Sequence, residues 1–284
     1  MALASKFLWL IIMSVAFRWN EEDFNDLVRS CDRDPSTPYI LNYMPSGGKI
    51  LEAGCGLARY VEFLSKRGID IVGIELNQNT VDTVRKLAPW LDVRQGDVSR
   101  LPFEDNSISG IISLGVIEHF IEGPGRPLME MLRVLRPGYY AVITVPSFNY
   151  IRRIKYKFSN YHIHPIKLLK AGDKVCRLLS EKPLRKSIPG SIPYKDKNRS
   201  VSDRFFEYLF TQQEFEQELR RVGFTIVESV PIALIDGIYH EFGKTFVSFS
   251  NWSFHPNIFG KLLNYIFGKI PFCHNHMHLC VAKK

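Results

Sequence analysis

The chain has 284 residues, 45% of them hydrophobic and 23% charged, with a formal net charge of +8. That balance excludes a disordered or fibrous chain and suits one large globular domain with elaborations, long enough to bury its own core. Five scattered cysteines (Cys31, Cys55, Cys176, Cys273, Cys280) exclude a disulfide framework and point to a reducing, cytoplasmic setting.

Residues 1–46 read as a helical extension. Its apolar run "FLWLIIMSVAF", residues 7–17, follows a single lysine and falls short of a bilayer span, which leaves interfacial contact with a membrane open. No small-residue cleavage site follows it, as a signal peptide would require. From Lys49 the pattern alternates strand and helix. "KILEAGCG" is a buried strand ending in a glycine turn, and "LARYVEFLSKRG" an amphipathic helix stopped at Gly68. "IDIVGIEL" is a second strand, "NQNTVDTVRKLAP" a capped helix, and "LDVRQGD" a third strand. "ISGIISLGV" is nearly continuous in apolar residues, as a strand covered on both faces should be. "GRPLMEMLRVLRPG" is a helix and "YYAVITVP" a fifth strand.

A break follows. Residues 148–204 hold fifteen basic and four acidic residues, with scattered prolines, and read as a partly helical insertion rather than a second core. The repeat resumes with the helix "TQQEFEQELRRVGF", the strand "TIVESVPI", the short amphipathic helix "NIFGKLLNYIFGKIPF" and a terminal strand "MHLCVAKK". This is an α/β pattern: a doubly wound, mostly parallel sheet. Its core runs over residues 47–147 and is completed by 205–284.

Ligands bind such sheets at the carboxyl ends of the strands. Gly54 and Gly56 fit the start of a dinucleotide fingerprint, but the third glycine would fall at Arg59; a G-x-G-x-G loop would place it at Ala58. Glu75 ends the second strand twenty-one residues after Gly54, where an acid accepts hydrogen bonds from ribose hydroxyls. Asp97 ends the third strand, in reach of an adenine amino group. Glu52 lies beside the glycine turn, where it would repel a pyrophosphate and hold an ammonium. Adenosine with a cationic amino-acid tail is S-adenosylmethionine (SAM).

These segments resemble the class I SAM-dependent methyltransferases of the type-11 domain group. "ILEAGCGLARY", "VGIEL", "GDVSRLPFEDNSISGIISLGVIEHF" and "EMLRVLRPG" carry the likeness, which is dense from Lys49 to Pro146, thinner from Phe210 to Glu228, and absent from the insertion. The resemblance implies a Rossmann-like sheet of seven strands, the last antiparallel. It implies that Glu52 meets the amino group and that Gly54, Cys55 and Gly56 pass the methionine portion. Glu75 would bind ribose, Leu76, Asp97 and Val98 would surround adenine, and Ser113 and Leu114 would line the methionine end. His119 would close over the site. Ala58, where the family often has glycine, and Ser109, where aspartate is common, depart from the pattern.

Methyl transfer to a hydroxyl or carbon also needs a base. His119, His162 and His164 are the candidates. In "CHNHMHLC", His274, His276, His278 and Cys280 share one face if extended, but without the paired spacing of zinc sites, so no metal is expected. If the terminal strand is antiparallel, as the resemblance implies, His274 and His276 would border the substrate pocket.

The expected activity is SAM-dependent methyl transfer to a small-molecule or lipid-like acceptor. The basic insertion favours an anionic one, and the apolar N-terminus and the "IFGKLLNYIFGK" helix favour peripheral membrane contact. "IRRIKYKF" mixes cations and aromatics as single-strand binders do, but no nucleic-acid module accompanies it, so nucleic acid ranks last. Two alternatives stay open: a non-catalytic SAM-binding or membrane-associated partner protein, and an NAD-dependent oxidoreductase.

Overall fold

The computed structural model describes residues 23–120, 122–159 and 207–284, with the side chains of 156–159 excepted. The apolar run at 7–17, most of the basic insertion, and His162 and His164 lie outside these residues.

Seven strands form one sheet: β1 (Ile50–Ala53), β2 (Ile71–Glu75), β3 (Val93–Gln95), β4 (Gly110–Leu114), β5 (Tyr140–Pro146), β6 (Thr225–Ile232) and β9 (Met277–Lys283). Their order is β3-β2-β1-β4-β5-β9-β6. β1 to β5 pair in parallel, and β9 runs antiparallel to both neighbours. This is the seven-stranded sheet that the family resemblance implied. The strands of its middle are buried on both faces, which is why "ILEA" and "GIISL" carry apolar residues without alternation.

The two faces hold separate cores. Ile50, Ile112, Val142 and Leu279 face one layer, built by α1 (Phe24–Ser30), α2 (Thr37–Tyr43), α3 (Arg59–Ser65) and α4 (Gln78–Leu87). Leu51, Ile111, Ile143 and Cys280 face the other, built by α5 (Gly125–Val134) and α7 (Gln212–Val222). The helix ends follow local chemistry. Asn77 caps α4 by accepting from the Asn79 amide. Thr211 and Glu214 form a reciprocal capping box on α7, which stops at Gly223 in the left-handed conformation.

The two departures from the family pattern have local explanations. Ser109 is fully buried, and its Oγ accepts from Arg136 Nη1 at 3.0 Å, with a Cβ on neighbouring Gly48 meeting that same Oγ at 2.2 Å. A larger acid has no room there. Ala58 is taken up with the glycine loop below.

The C-terminal quarter holds more structure than the sequence pattern announced. After α6 (Tyr150–Ser159), which opens the basic insertion, come α8 (Leu234–Phe242), a hairpin of β7 (Val247–Ser250) and β8 (Ser253–Pro256), and α9 (Ile258–Phe267). Only α9 was legible. The hairpin turn uses two consecutive left-handed residues, Asn251 (φ 47°) and Trp252 (φ 53°), without the glycine that marks such turns. α8 is short and follows β6 with Ala233 in the left-handed region, so no capping residue announces it.

Candidate functional site

The strand order reverses between β1 and β4, and a crevice opens there at the carboxyl ends of the strands. It is a cleft of about 1200 Å³. Its floor is the loop after β1. Gly54 (φ 81°), Gly56 (φ 51°) and Ala58 (φ 59°) alternate in the left-handed region, so the loop is a G-x-G-x-G turn in which alanine holds the third position. A Cβ on Gly54 would meet Val116 Cγ2 at 2.5 Å, which ties that position to glycine twice over.

The loop's amides are used within the protein. Gly54 and Cys55 N–H donate to the Ile74 carbonyl (2.8 and 3.0 Å), and Ala58 N–H to that of Cys55 (2.8 Å). Gly56 N–H donates to Glu75 Oε2 at 3.0 Å. A pyrophosphate would need those donors and would meet two carboxylates, so the loop does not suit a dinucleotide.

Glu52 projects from β1 into the cleft wall. Its Oε2 accepts from Val61 N–H at 3.1 Å. Burial pushes its carboxyl up to about 8, against the pull of Arg59. Arg59 itself pairs with Asp34 at 2.7 Å, and both line the cleft. Burial likewise raises Glu75, opposed by the amides of Asn77, Gly56 and Leu76. Each Glu75 oxygen accepts one amide, Gly56 and Asn77, leaving further lone pairs for a ligand.

The expected residues divide into two groups. Glu52, Gly54, Cys55, Gly56 and Leu114 form the cleft wall. Cys55 packs its thiol against β2, where a Cβ on Gly73 would meet it at 2.6 Å. Glu75, Leu76 and Asp97 form an outer row beyond the wall, along the ends of β2 and β3, joined where Gly96 N–H donates to the Glu75 carbonyl at 2.9 Å. Val98 is buried in the core. Ser113 is buried on the sheet face opposite Leu114, and its Oγ has no hydrogen-bond partner among the described residues. His119 stands apart from the wall, with Nε2 3.9 Å from Glu118.

The far wall comes from the C-terminal elements. Phe249, Trp252 and Phe254 pack together from the β7–β8 hairpin, and Asp236 and His240 come from α8. His276 stacks on His240 with ring centroids 4.0 Å apart. Arg152 of α6 donates to His276 Nδ1 at 2.6 Å, to Glu241 at 2.5 Å and to the Ser147 carbonyl at 2.7 Å. A guanidinium cannot accept, so the His276 proton resides on Nε2. Burial lowers His240 to about 4, helped by Arg152, and holds His276 well below its usual range. Both rings are neutral at pH 7. Asp236 is pushed up to about 6 by burial and then by Asp34.

Sequence reasoning found His276 but missed Asp34, Arg152, Asp236, His240 and the aromatic wall. Their only signal was the strand order, which sets α6 and the residues before β9 beside the carboxyl end of β5. The other "CHNHMHLC" residues disperse. His274 bonds Asn264, His278 donates to the Phe210 carbonyl, and Cys280 bonds Ser229. Among the described residues no cluster of His, Cys, Asp or Glu could hold a metal ion.

Comparison with known proteins accords with this geometry. Residues 51–143 match the family model described as a methyltransferase domain. This segment is a methyltransferase domain. The domain is 31% identical over 102 residues to a probable S-adenosylmethionine-dependent methyltransferase of Mycolicibacterium smegmatis, covering 36% of this chain and 39% of that protein. It is 30% identical over 112 residues to the demethylmenaquinone methyltransferase of Renibacterium salmoninarum, covering 38% and 46%. The chain thus spans less than half the length of these relatives. Among solved structures, a SAM-dependent methyltransferase from Methanosarcina mazei superposes with a TM-score of 0.57 over 87% of this chain and 97% of its own, at 18% identity. The cofactor of the family is SAM, and the amide-satisfied glycine loop with its two carboxylates fits that cofactor.

Proposed function

We propose that this protein transfers a methyl group from SAM to an apolar, lipid-like small molecule bound in the cleft. One observation carries the reading: Glu52 and the glycine loop share a single cleft with the aromatic wall of Phe249, Trp252 and Phe254. The first half of that cleft suits a cationic amino-acid tail, and the second an apolar acceptor. The relative from Renibacterium salmoninarum, named for demethylmenaquinone, supports an acceptor of this kind.

In this reading Glu75 takes the ribose hydroxyls, Leu76, Asp97 and Val98 flank the adenine, and Glu52 takes the ammonium. Gly54, Cys55, Gly56 and Leu114 border the methionine portion, while Ser113, buried on the other face of the sheet, does not reach it. SAM supplies a methyl carbon activated by its sulfonium. The chain positions the acceptor against it and keeps water out, which is where much of the rate of such a transfer arises. His276 offers its Nε2–H to an acceptor oxygen. Neither His240 nor His276 retains the proton affinity of a base near neutral pH, whereas Asp236 does, and it lies in the wall. Asp236 is therefore the group we assign to take a proton from an enol or hydroxyl.

Calorimetric titration with SAM and with NADH tests the cofactor. Micromolar SAM binding with none for NADH is expected; the reverse would overturn the reading. Turnover of apolar phenols or quinols with labelled SAM then separates an enzyme from a non-catalytic binder.

A further inference from the structure

Helix α9 turns most of its large apolar side chains outward. An amphipathic helix on a globular protein turns its apolar face to the core. Here the inward side is Gly260, Leu263, Asn264 and Phe267. Gly260 lies so close to the chain before β7 that a Cβ there would meet the Phe246 carbonyl at 2.2 Å, and Asn264 lines the cleft. The outward side carries Ile258, Phe259, Leu262, Tyr265 and Ile266, between 48% and 76% exposed, and Ile270 follows just past the helix. Their spacing puts them on one face.

The charge around this face has one sign. From Phe242 to Ile270 the sequence has three lysines (Lys244, Lys261 and Lys269) and neither Asp nor Glu. Lys261 sits within the exposed face, and Lys269 lies over the Tyr265 ring at 4.2 Å. Several large apolar side chains interleaved with cations complement an anionic lipid surface: the apolar groups enter the acyl boundary while the lysines reach the headgroups. A polar partner protein would leave the apolar groups uncovered, and an apolar partner would leave the lysines unpaired.

We propose that α9 and the Ile270 turn seat the protein on an anionic lipid bilayer. The use of that seat, to draw a lipid-borne acceptor toward the cleft that Asn264 lines, rests on the function proposed above; the binding itself does not.

The test is flotation of the full chain with vesicles of phosphatidylcholine containing about one-third phosphatidylglycerol, against phosphatidylcholine alone. Two variants accompany it, Phe259→Ser/Leu262→Ser/Ile266→Ser and Lys261→Gln/Lys269→Gln. The parent is expected to float with the anionic vesicles, and the triple variant to lose roughly tenfold or more of that binding. The lysine variant should weaken binding and flatten its salt dependence. SAM titration of each variant, without lipid, reports that the fold and cofactor site are intact. A triple variant that floats like the parent would overturn the proposal and assign binding to another segment, the apolar run at 7–17 first. So would a parent that ignores vesicles, or a lipid-free dimer that the triple variant dissociates, which would place a second copy on this face. Flotation without SAM binding would sink the methyltransferase reading and leave this one standing.

Discussion

Glu75, the last residue of β2, accepts the amide of Gly56, in the loop after β1, at 3.0 Å. The acid proposed to read the ribose also holds the loop that cradles the rest of the ligand. Affinity and loop order therefore share one side chain. Glu75→Ala is expected to abolish SAM binding by calorimetry and to lower stability by about 1–3 kcal/mol, because a partly buried amide loses its acceptor. Glu75→Gln keeps an acceptor oxygen. It should retain most of the stability, read by denaturant melts, while losing affinity.

Glu52 makes a pH prediction. Its carboxyl is raised to about 8 in the folded protein by burial. Between the ordinary carboxylate range and pH 8 the folded state holds a proton that the unfolded state has released, so its contribution to stability falls as pH rises through that window. An ammonium binding beside it would draw off the proton. SAM affinity should therefore rise with pH from about 6 to about 8, with proton release detectable by titration in buffers of different ionisation enthalpy. Glu52→Gln should abolish that dependence, weaken SAM, and raise stability at pH 8 by about 1–3 kcal/mol. A variant weaker in both stability and affinity would show that the carboxylate is structural.

The loop's handedness gives a paired test. Gly54→Ala imposes a Cβ at φ 81° against Val116 and should cost about 2 kcal/mol or more in thermal or denaturant unfolding. Ala58→Gly relieves a left-handed alanine at φ 59° and should be neutral or stabilising by up to about 1 kcal/mol. Equal losses from both would mean that the loop has no fixed handedness.

Asp236→Asn should reduce kcat roughly 100-fold or more with SAM affinity unchanged. The parent's rate should fall as pH drops through about 6, where Asp236 takes up its proton, and the variant should lack that limb. If the limb persists in the variant, the base lies elsewhere.

How much the sequence disclosed depended on where its signals lay. β1 to β5 and the glycine turn were legible because buried parallel strands read as apolar runs, and because Gly54, Glu75 and Asp97 each sit at a strand end, where a few residue types fit. The antiparallel β9 came through family resemblance, since "MHLCVAKK" does not state its direction. Apart from His276, the far wall was illegible for a different reason. Asp34, Arg152, Asp236, His240 and His276 come from four separate stretches, and only the β5-β9-β6 order makes them neighbours. The hairpin's left-handed Asn251 and Trp252 carry no glycine to announce a turn. α9 was read as amphipathic, which it is, but periodicity alone does not say which side faces water.

The placement of β9 between β5 and β6 also sets an order of events during synthesis. β6 leaves the ribosome more than forty residues before β9, yet among the described residues β9 is the only strand it pairs with. Until Met277–Lys283 arrive, β5 ends the growing sheet with an open, apolar edge, and β6 has no sheet to join. The nascent chain thus carries two unpaired strands at once, the condition in which edge-to-edge association between molecules competes with folding. A chaperone that shields this interval should matter more to the yield of this protein than to that of a sheet whose strands close in the order they are made.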